Sequence, residues 1–382
     1  MRGLSHLPAN HPLIQELATL PSSLIPGALD LLSPEELTSI FTTGFAVEDV
    51  QLGNIEHRLW DVRHGATGFS DSGFAVTHNR APIDVKDVQS MGGKEVVGGK
   101  EVISSEPVAE PDKRWGFFIS GSGEWVDLQS TSIARGSSFE TGGVTLGVDY
   151  RVTDHFVLGT AFGYANTSTD LSLGGRLRSD SGKGSLYGTY YDQGFYVNGI
   201  VGGGYGSIDT RRLTVGGFAR GDTNGTDFDA LIGTGYDYHI GGWSFGPIAS
   251  LRYGRVGLDG FAEEGALGSL LFDSQSEDSL KSAIGLQISY TAQIGRIAVT
   301  PIVSAQWEHE YLTSTSSIDA GFTSANSFTV QGPHIGRDSL LLDVGFSAQL
   351  TPRVGIFSYY TGELGRENYS VHSISGGFRV SF

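Results

Sequence analysis

From Arg114 to Phe382 the chain falls into twelve segments in which apolar and polar side chains alternate with a period of two, the first Arg114–Val126 and the last Ser370–Phe382. A period of two is the spacing of a β-strand with two unlike faces. The connections alternate as well. Tight ones fall at Thr153 with Asp154, Gln193, Gly241 with Gly242, Gly295, and Thr351 with Pro352; long ones cover 127–140, 167–181, 208–225, 258–279 and 313–338. Only the last hairpin, at Arg366–Tyr369, is short on the long-loop side. Such a chain can pair every strand with its sequence neighbour in an antiparallel sheet. What remains open is which face meets the core.

Several features give the sign. In the second segment Val144, Leu146, Val148 and Tyr150 oppose Thr145, Gly147, Asp149 and Arg151; in the ninth, Ile297, Val299, Pro301, Val303, Ala305 and Trp307 oppose Thr300, Ser304, Gln306, Glu308 and Glu310. Aromatic residues stand at strand ends: Trp115, Trp125, Phe156, Tyr191, Phe195, Tyr238, Trp243, Tyr290 and Tyr311. Glycine, at 56 of 382 residues, is about twice its usual share and has no collagen period, which suits strands whose backbones and rings approach closely. No apolar window reaches the length of a membrane helix, so a membrane is crossed only by a closed barrel that leaves no edge. Short turns on one side, long loops on the other, an even strand number and aromatic girdles together describe a bacterial outer-membrane barrel. The fold class expected is therefore all-β transmembrane: a twelve-stranded antiparallel outer-membrane β-barrel, apolar face to lipid, polar face to the lumen.

The final strand agrees. Ile374, Gly376, Phe378, Val380 and Phe382 share one face, with Gly377, Arg379 and Ser381 on the other. Ser375, Gly377, Phe378, Val380 and Phe382 carry the spacing that resembles the membrane-insertion signal of this class.

Charge and composition exclude much else. The net charge of −17 repels phosphate backbones and argues against nucleic-acid binding. Without cysteine there is no disulfide, thiolate metal site or cysteine nucleophile. The ten histidines form no HExxH pair, the glycine runs such as Gly202–Gly206 lack a P-loop lysine, and no GxSxG elbow occurs. No catalytic set, cofactor site or metal site is expected.

The N-terminal third reads differently. Residues 1–65 have helical character: Ser33, Pro34, Glu35 and Glu36 form an N-cap with a capping-box glutamate, and a second helix is expected over Val47–His64, ended by Gly65. That helix is too polar for an ordinary core. Its 18 residues span roughly 27 Å, near the roughly 25 Å height of a barrel's apolar band. Residues 66–112, with the imperfect repeat Gly92–Val97 and Gly98–Ile103, read as a flexible linker, and 113–382 as the barrel. Met1–Leu13 has no apolar core of the secretory-signal kind, so the chain is expected to be part of a longer reading frame.

Residues 30–382 resemble the translocator domain of the autotransporters, the type V secretion family. The segments that carry the likeness are FETGGVTLGVDYRVTDHFVL at Phe139–Leu158, WEHEY at Trp307–Tyr311, GGFRVSF at Gly376–Phe382, and LSPEEL and NIEHRLWDVR within Leu32–Arg63. The resemblance implies a helix inside the pore, here 47–64, a monomeric barrel inserted into outer-membrane lipid by the barrel-assembly machinery, and an N-terminal passenger delivered to the cell surface. Residues 1–30 are too few for the β-helical passenger typical of the family. Some members cut their own pore helix at an asparagine beside acids, which singles out Asn54 with Asp149, Glu308 and Glu310; the favoured alternative is that these acids solvate the lumen and pair with Arg58 and Arg63. The rival functional expectation is a simple outer-membrane pore or adhesin barrel with no exported passenger.

Overall fold

The computed structural model describes residues 4, 7–64, 114–295, 297–312, 314–323 and 327–382. The expected linker 66–112, its repeat and the Gly65 cap lie outside the described residues. Two short helices, α1 (Pro12–Thr19) and α2 (Ile25–Asp30), precede a 3-10 turn at Glu35–Thr38 that runs directly into α3 (Ser39–Arg63). Twelve strands follow: β1 (Trp115–Leu128), β2 (Ser137–Thr153), β3 (Phe156–Leu171), β4 (Arg176–Asp192), β5 (Phe195–Thr214), β6 (Gly217–Tyr236), β7 (Trp243–Leu258), β8 (Gln275–Tyr290), β9 (Ile297–Glu310), β10 (Asp338–Gln349), β11 (Val354–Leu364) and β12 (Tyr369–Ser381). Each pairs antiparallel with its neighbours, and β12 pairs with β1, so the sheet closes as a twelve-stranded barrel around α3. Short strands continue the hairpins at Tyr238–Ile240 and Ala292–Ile294, and four more form a separate small sheet from Phe261–Ala262, Leu271–Phe272, Thr315–Gly321 and Ser327–His334.

Closure is set at the chain's last residue. Trp115 N donates to Phe382 O at 3.1 Å and Phe382 N to Trp115 O at 3.0 Å, and the register runs from Gly116 opposite Ser381 to Leu128 opposite Tyr369. Ile374, Phe378 and Phe382 are exposed on the outer wall, whereas Ser375, Arg379 and Ser381 are buried inside. At the same end the Gln193–Gly194 turn has positive φ at both positions, 48° and 91°, the geometry that matches the twist of a two-residue hairpin.

Three expectations change. First, the helix is not limited to 47–64. It begins at Ser39, and the residues at 33–36 do not form a capping box: Glu36 Oε1 accepts the amide of Leu173 instead. Thr42, Thr43 and Gly44 have poor intrinsic helix propensity, yet the barrel wall surrounds them, and a Cβ at Gly44 would lie 2.6 Å from Val256 Cγ1. Enclosure overrides propensity here.

Second, 167–181 and 208–225 are mostly strand. The β3–β4 and β5–β6 hairpins continue to Leu171 and Arg176, and to Thr214 and Gly217. The side-chain period persists, but its sign inverts. Leu171, Leu177 and Ile208 are buried inside, while Asp170, Arg176, Arg178, Asp209 and Arg211 are exposed outside. Beyond the lipid the outer face meets water, so an apolar-outward rule stops marking strands. Third, Tyr191 does not join the outer aromatic girdle; it packs inside with Val62 and Val157, and the lipid-facing ring at this level is Tyr190.

Candidate functional site

The lumen, threaded by α3, holds the polar contacts between helix and wall. Its wall is made of the inward rows of the strands, which the period of two supplies without further design. Two glycines make room for rings: an added Cβ at Gly147 would lie 2.0 Å from Phe118 Cε1, and one at Gly159 would lie 2.3 Å from Tyr187 Cζ. Phe118 and Tyr187 then pack with Leu52, Ile55 and Leu59 of the helix.

The polar residues of α3 meet wall partners along its length. Lys183 on β4 sits between Asp229 and Asp227 of β6, 2.8 Å from the latter, beside the buried Glu48. Asp49 pairs with Arg252 of β7 at 2.5 Å. Asn54 Nδ2 donates to Ser122 Oγ at 2.8 Å and to Thr145 Oγ1 at 3.0 Å, while Ser120 Oγ donates to Asn54 Oδ1 at 2.8 Å. Further along, Arg58 makes a two-point pair with Asp149, Nε to Oδ2 at 2.7 Å and Nη2 to Oδ1 at 2.8 Å, and Tyr187 Oη donates to the same carboxylate at 3.0 Å. His57 stacks on Tyr359 with ring centres 3.8 Å apart. Asp61 accepts from Arg379 Nη1 at 2.8 Å. Arg63 donates to Asn198 Oδ1 at 2.9 Å and lies 3.7 Å above the ring of Tyr196.

Of the six residues singled out in the sequence, the structure brings Asn54, Arg58 and Asp149 into one neighbourhood and places Arg63 against Asn198 and Tyr196. The two glutamates depart from the expected helix contacts. Glu308 pairs with Lys281 at 3.0 Å, and Glu310 accepts from Ser279 Oγ and from the amides of Leu280 at 3.1 Å and Leu312 at 2.9 Å, all strand or rim groups. They sit toward the far end of β9, where the Lys281 side chain takes Glu308 and the amides of Leu280 and Leu312 take Glu310. Sequence reading missed Lys183, Arg252 and Arg379 as partners of helix acids. Alternation marks all three as inward, but which inward residue meets which helix residue depends on the rotation and depth of α3.

Buried ions are tolerated only when paired, because the desolvation of a lone charge exceeds what the lumen returns. The matched pairs therefore fix one depth and one rotation of the helix. They do not fill the lumen. Beside the helix lies a cavity of about 230 Å³ lined by Asp49, Gly53, Glu56, Arg252, Lys281 and Asp343 among others. Among the described residues, no group of three or more metal-ligating side chains converges.

The helix also has a direction. Phe41 near its start packs with Leu171 and Leu177 at the long-loop end, and Arg58 near its close meets Asp149, one residue from Tyr150, which faces Trp115 in register. Short turns of such barrels are periplasmic. The helix thus descends from the long-loop mouth to the short-turn end, and the described residues before Ser39 lie at the long-loop mouth.

Residues 117–361 match the family model for the autotransporter β-domain. The chain is 28% identical over 289 residues to the esterase EstA of Pseudomonas aeruginosa, an overlap of 70% of this chain and 43% of that protein. It is 26% identical over 288 residues to an extracellular serine protease of Serratia marcescens, covering 73% of this chain and 27% of that one. The chain thus spans less than half the length of these curated relatives. Among solved structures, the translocator domain of the autotransporter NalP from Neisseria meningitidis superposes with a TM-score of 0.59 at 15% identity, over 70% of this chain and 88% of that domain.

Proposed function

Because this chain belongs to the autotransporter β-domain family, and so is an outer-membrane translocator barrel for an N-terminal passenger, we propose that it carries that passenger to the cell surface and holds it there through α3. The observation that supports this most is the direction of the helix. With Ser39 at the outer mouth and Arg63 at the periplasmic end, anything joined before residue 39 emerges outside. On this reading the barrel performs no chemistry of its own; an esterase or protease activity, as in the names of the two relatives, would belong to a passenger. Insertion by the barrel-assembly machinery and a monomeric state belong to the same proposal.

We read the helix as retained uncut. The Asn54 amide is engaged by Ser120, Ser122 and Thr145, and Asp149, one of the acids named for a cleavage role, is occupied by Arg58 and Tyr187. Expressing the chain with an epitope fused before Met1 tests both parts. Surface labelling on intact cells of a full-length product is expected. An epitope reachable only after permeabilisation would favour the simple pore or adhesin barrel, and a shorter fragment that disappears in Asn54→Ala would show cleavage instead.

A further inference from the structure

Above the lipid, the outward face of the barrel carries three arginines side by side. In register across neighbouring strands, Arg176 of β4 stands opposite Arg211 of β5, and Arg211 opposite Arg220 of β6. All three are exposed. Neighbouring strands lie roughly 4.8 Å apart, so the three side chains spring from a strip about 10 Å wide. Like charges directly opposite one another destabilise a sheet. A chain of net charge −17 has carboxylates to spare for separating them, yet the ion pair found in this row is at its edge, from Arg176 Nε to Asp170 Oδ1 at 3.3 Å. Arg211 Cζ instead lies 3.8 Å from the centre of the Phe218 ring, a stacking contact that holds the guanidinium plane and leaves its N–H edges clear of the ring.

The rows beneath differ in character. One row lower, Asp209 faces Asp222 across the β5–β6 pair, with Arg178 opposite Asp209. Lower again, Asp180 accepts from Asn166 Nδ2 at 2.9 Å and from the hydroxyl of Tyr164. Tyr164 and Tyr205, both exposed, flank Gly182 in register and belong to the outer aromatic girdle, which marks the membrane interface. Arg178 and Arg176 stand two and four residues beyond Asp180 on β4. On a strand tilted near 45° that places them roughly 5 and 9 Å higher than Asp180. The headgroup layer of a phospholipid is only roughly 5–7 Å deep. The arginine row therefore stands at the top of such a layer or beyond it.

We propose that this face of β4–β6 is a seat for a phosphorylated glycolipid of the outer leaflet, with a phosphate held by Arg176, Arg211 and Arg220 and sugar hydroxyls donating to Asp209 and Asp222 below them. Guanidinium groups offer paired N–H donors that match phosphate oxygens, and a phosphate among the three arginines removes their mutual repulsion. The height of the row selects the partner: a phosphate there must be carried on a headgroup taller than a phospholipid's, and a saccharide supplies both the height and the hydroxyls. The site needs no passenger, so its failure and a failure of the translocation reading are separable.

The test is the affinity of the folded full chain in detergent for purified rough lipopolysaccharide with a phosphorylated core, measured by microscale thermophoresis. Combining Arg176→Gln, Arg211→Gln and Arg220→Gln should weaken binding by roughly tenfold or more, as the loss of three exposed charge contacts would give. Arg353→Gln, in a short turn at the opposite end of the barrel, should leave the parent value. The same lipid stripped of its phosphates, and phosphatidylglycerol, should bind the parent as weakly as the intact lipid binds the triple variant. A triple variant that keeps heat-modifiable mobility and parent affinity would overturn the proposal, as would equal binding of either control lipid. Displacement of the lipid by millimolar inorganic phosphate would also overturn it, making this a site for the free anion. Should the triple variant not fold, Arg220→Gln alone must still lower the affinity; no change there would refute the seat.

Discussion

Arg58 and Asp149 meet in a two-point ion pair whose side chains are 1% and 0% exposed, joining the helix to β2 near the periplasmic end. Removing one partner leaves an ion in the lumen without its counter-charge, which costs about 3–5 kcal/mol. Asp149→Ala should therefore lower the temperature at which the heat-modifiable band is lost. Replacing both partners, as Arg58→Met with Asp149→Leu, should recover most of that loss; a double variant as unstable as the single one would mean the pair does not act as a unit.

Gly147 and Phe118 are matched as space and ring. Gly147→Ala brings a methyl group 2.0 Å from Phe118 Cε1 and forces the ring to move, with an expected cost of about 1–3 kcal/mol. Phe118→Leu in the same chain should relieve part of it. Thermal unfolding of the two variants in detergent measures the difference, and identical losses would contradict a steric origin.

Deleting Phe382 removes both backbone hydrogen bonds that it exchanges with Trp115 and the outward ring at the rim. The seam between the first and last strands then starts one residue late. The expected result is a smaller folded fraction in the membrane, read as the ratio of heat-modifiable to unfolded bands, together with unchanged stability of the molecules that do fold. Normal insertion levels would remove this residue from the assembly signal.

Burial pushes the Glu36 carboxyl above its ordinary range, against the Leu173 amide and Arg135, which pull it down. A carboxyl that binds its proton more tightly when folded contributes stability below its unfolded value and loses it as pH rises through the raised folded value. The grip on the outer segment should accordingly tighten on mild acidification. Glu36→Gln, which keeps an acceptor for Leu173 N, should flatten that dependence and leave the outer segment more protease-resistant at neutral pH. A pH profile unchanged by the substitution would assign the effect elsewhere.

The sequence by itself determined the strand count, the pairing order and the division of each strand into two faces, because a period of two is a local property and short turns permit little but hairpins. It also exposed the polar helix, since residues such as Arg58 and Asp61 cannot be buried in an ordinary core. It failed where the surroundings of a strand change. The sign of alternation at Leu171, Leu177 and Ile208 depends on whether lipid or water lies outside, and no local pattern carries that information. The start of the helix at Ser39 and the inward turn of Tyr191 depend likewise on the enclosing wall. Partner choice was decided only in three dimensions: Arg58 reaches Asp149 and Asp61 reaches Arg379 because one depth and one rotation of the helix satisfy both pairs at once. Periodicity assigns each residue a face. Only the closed barrel assigns it a neighbour.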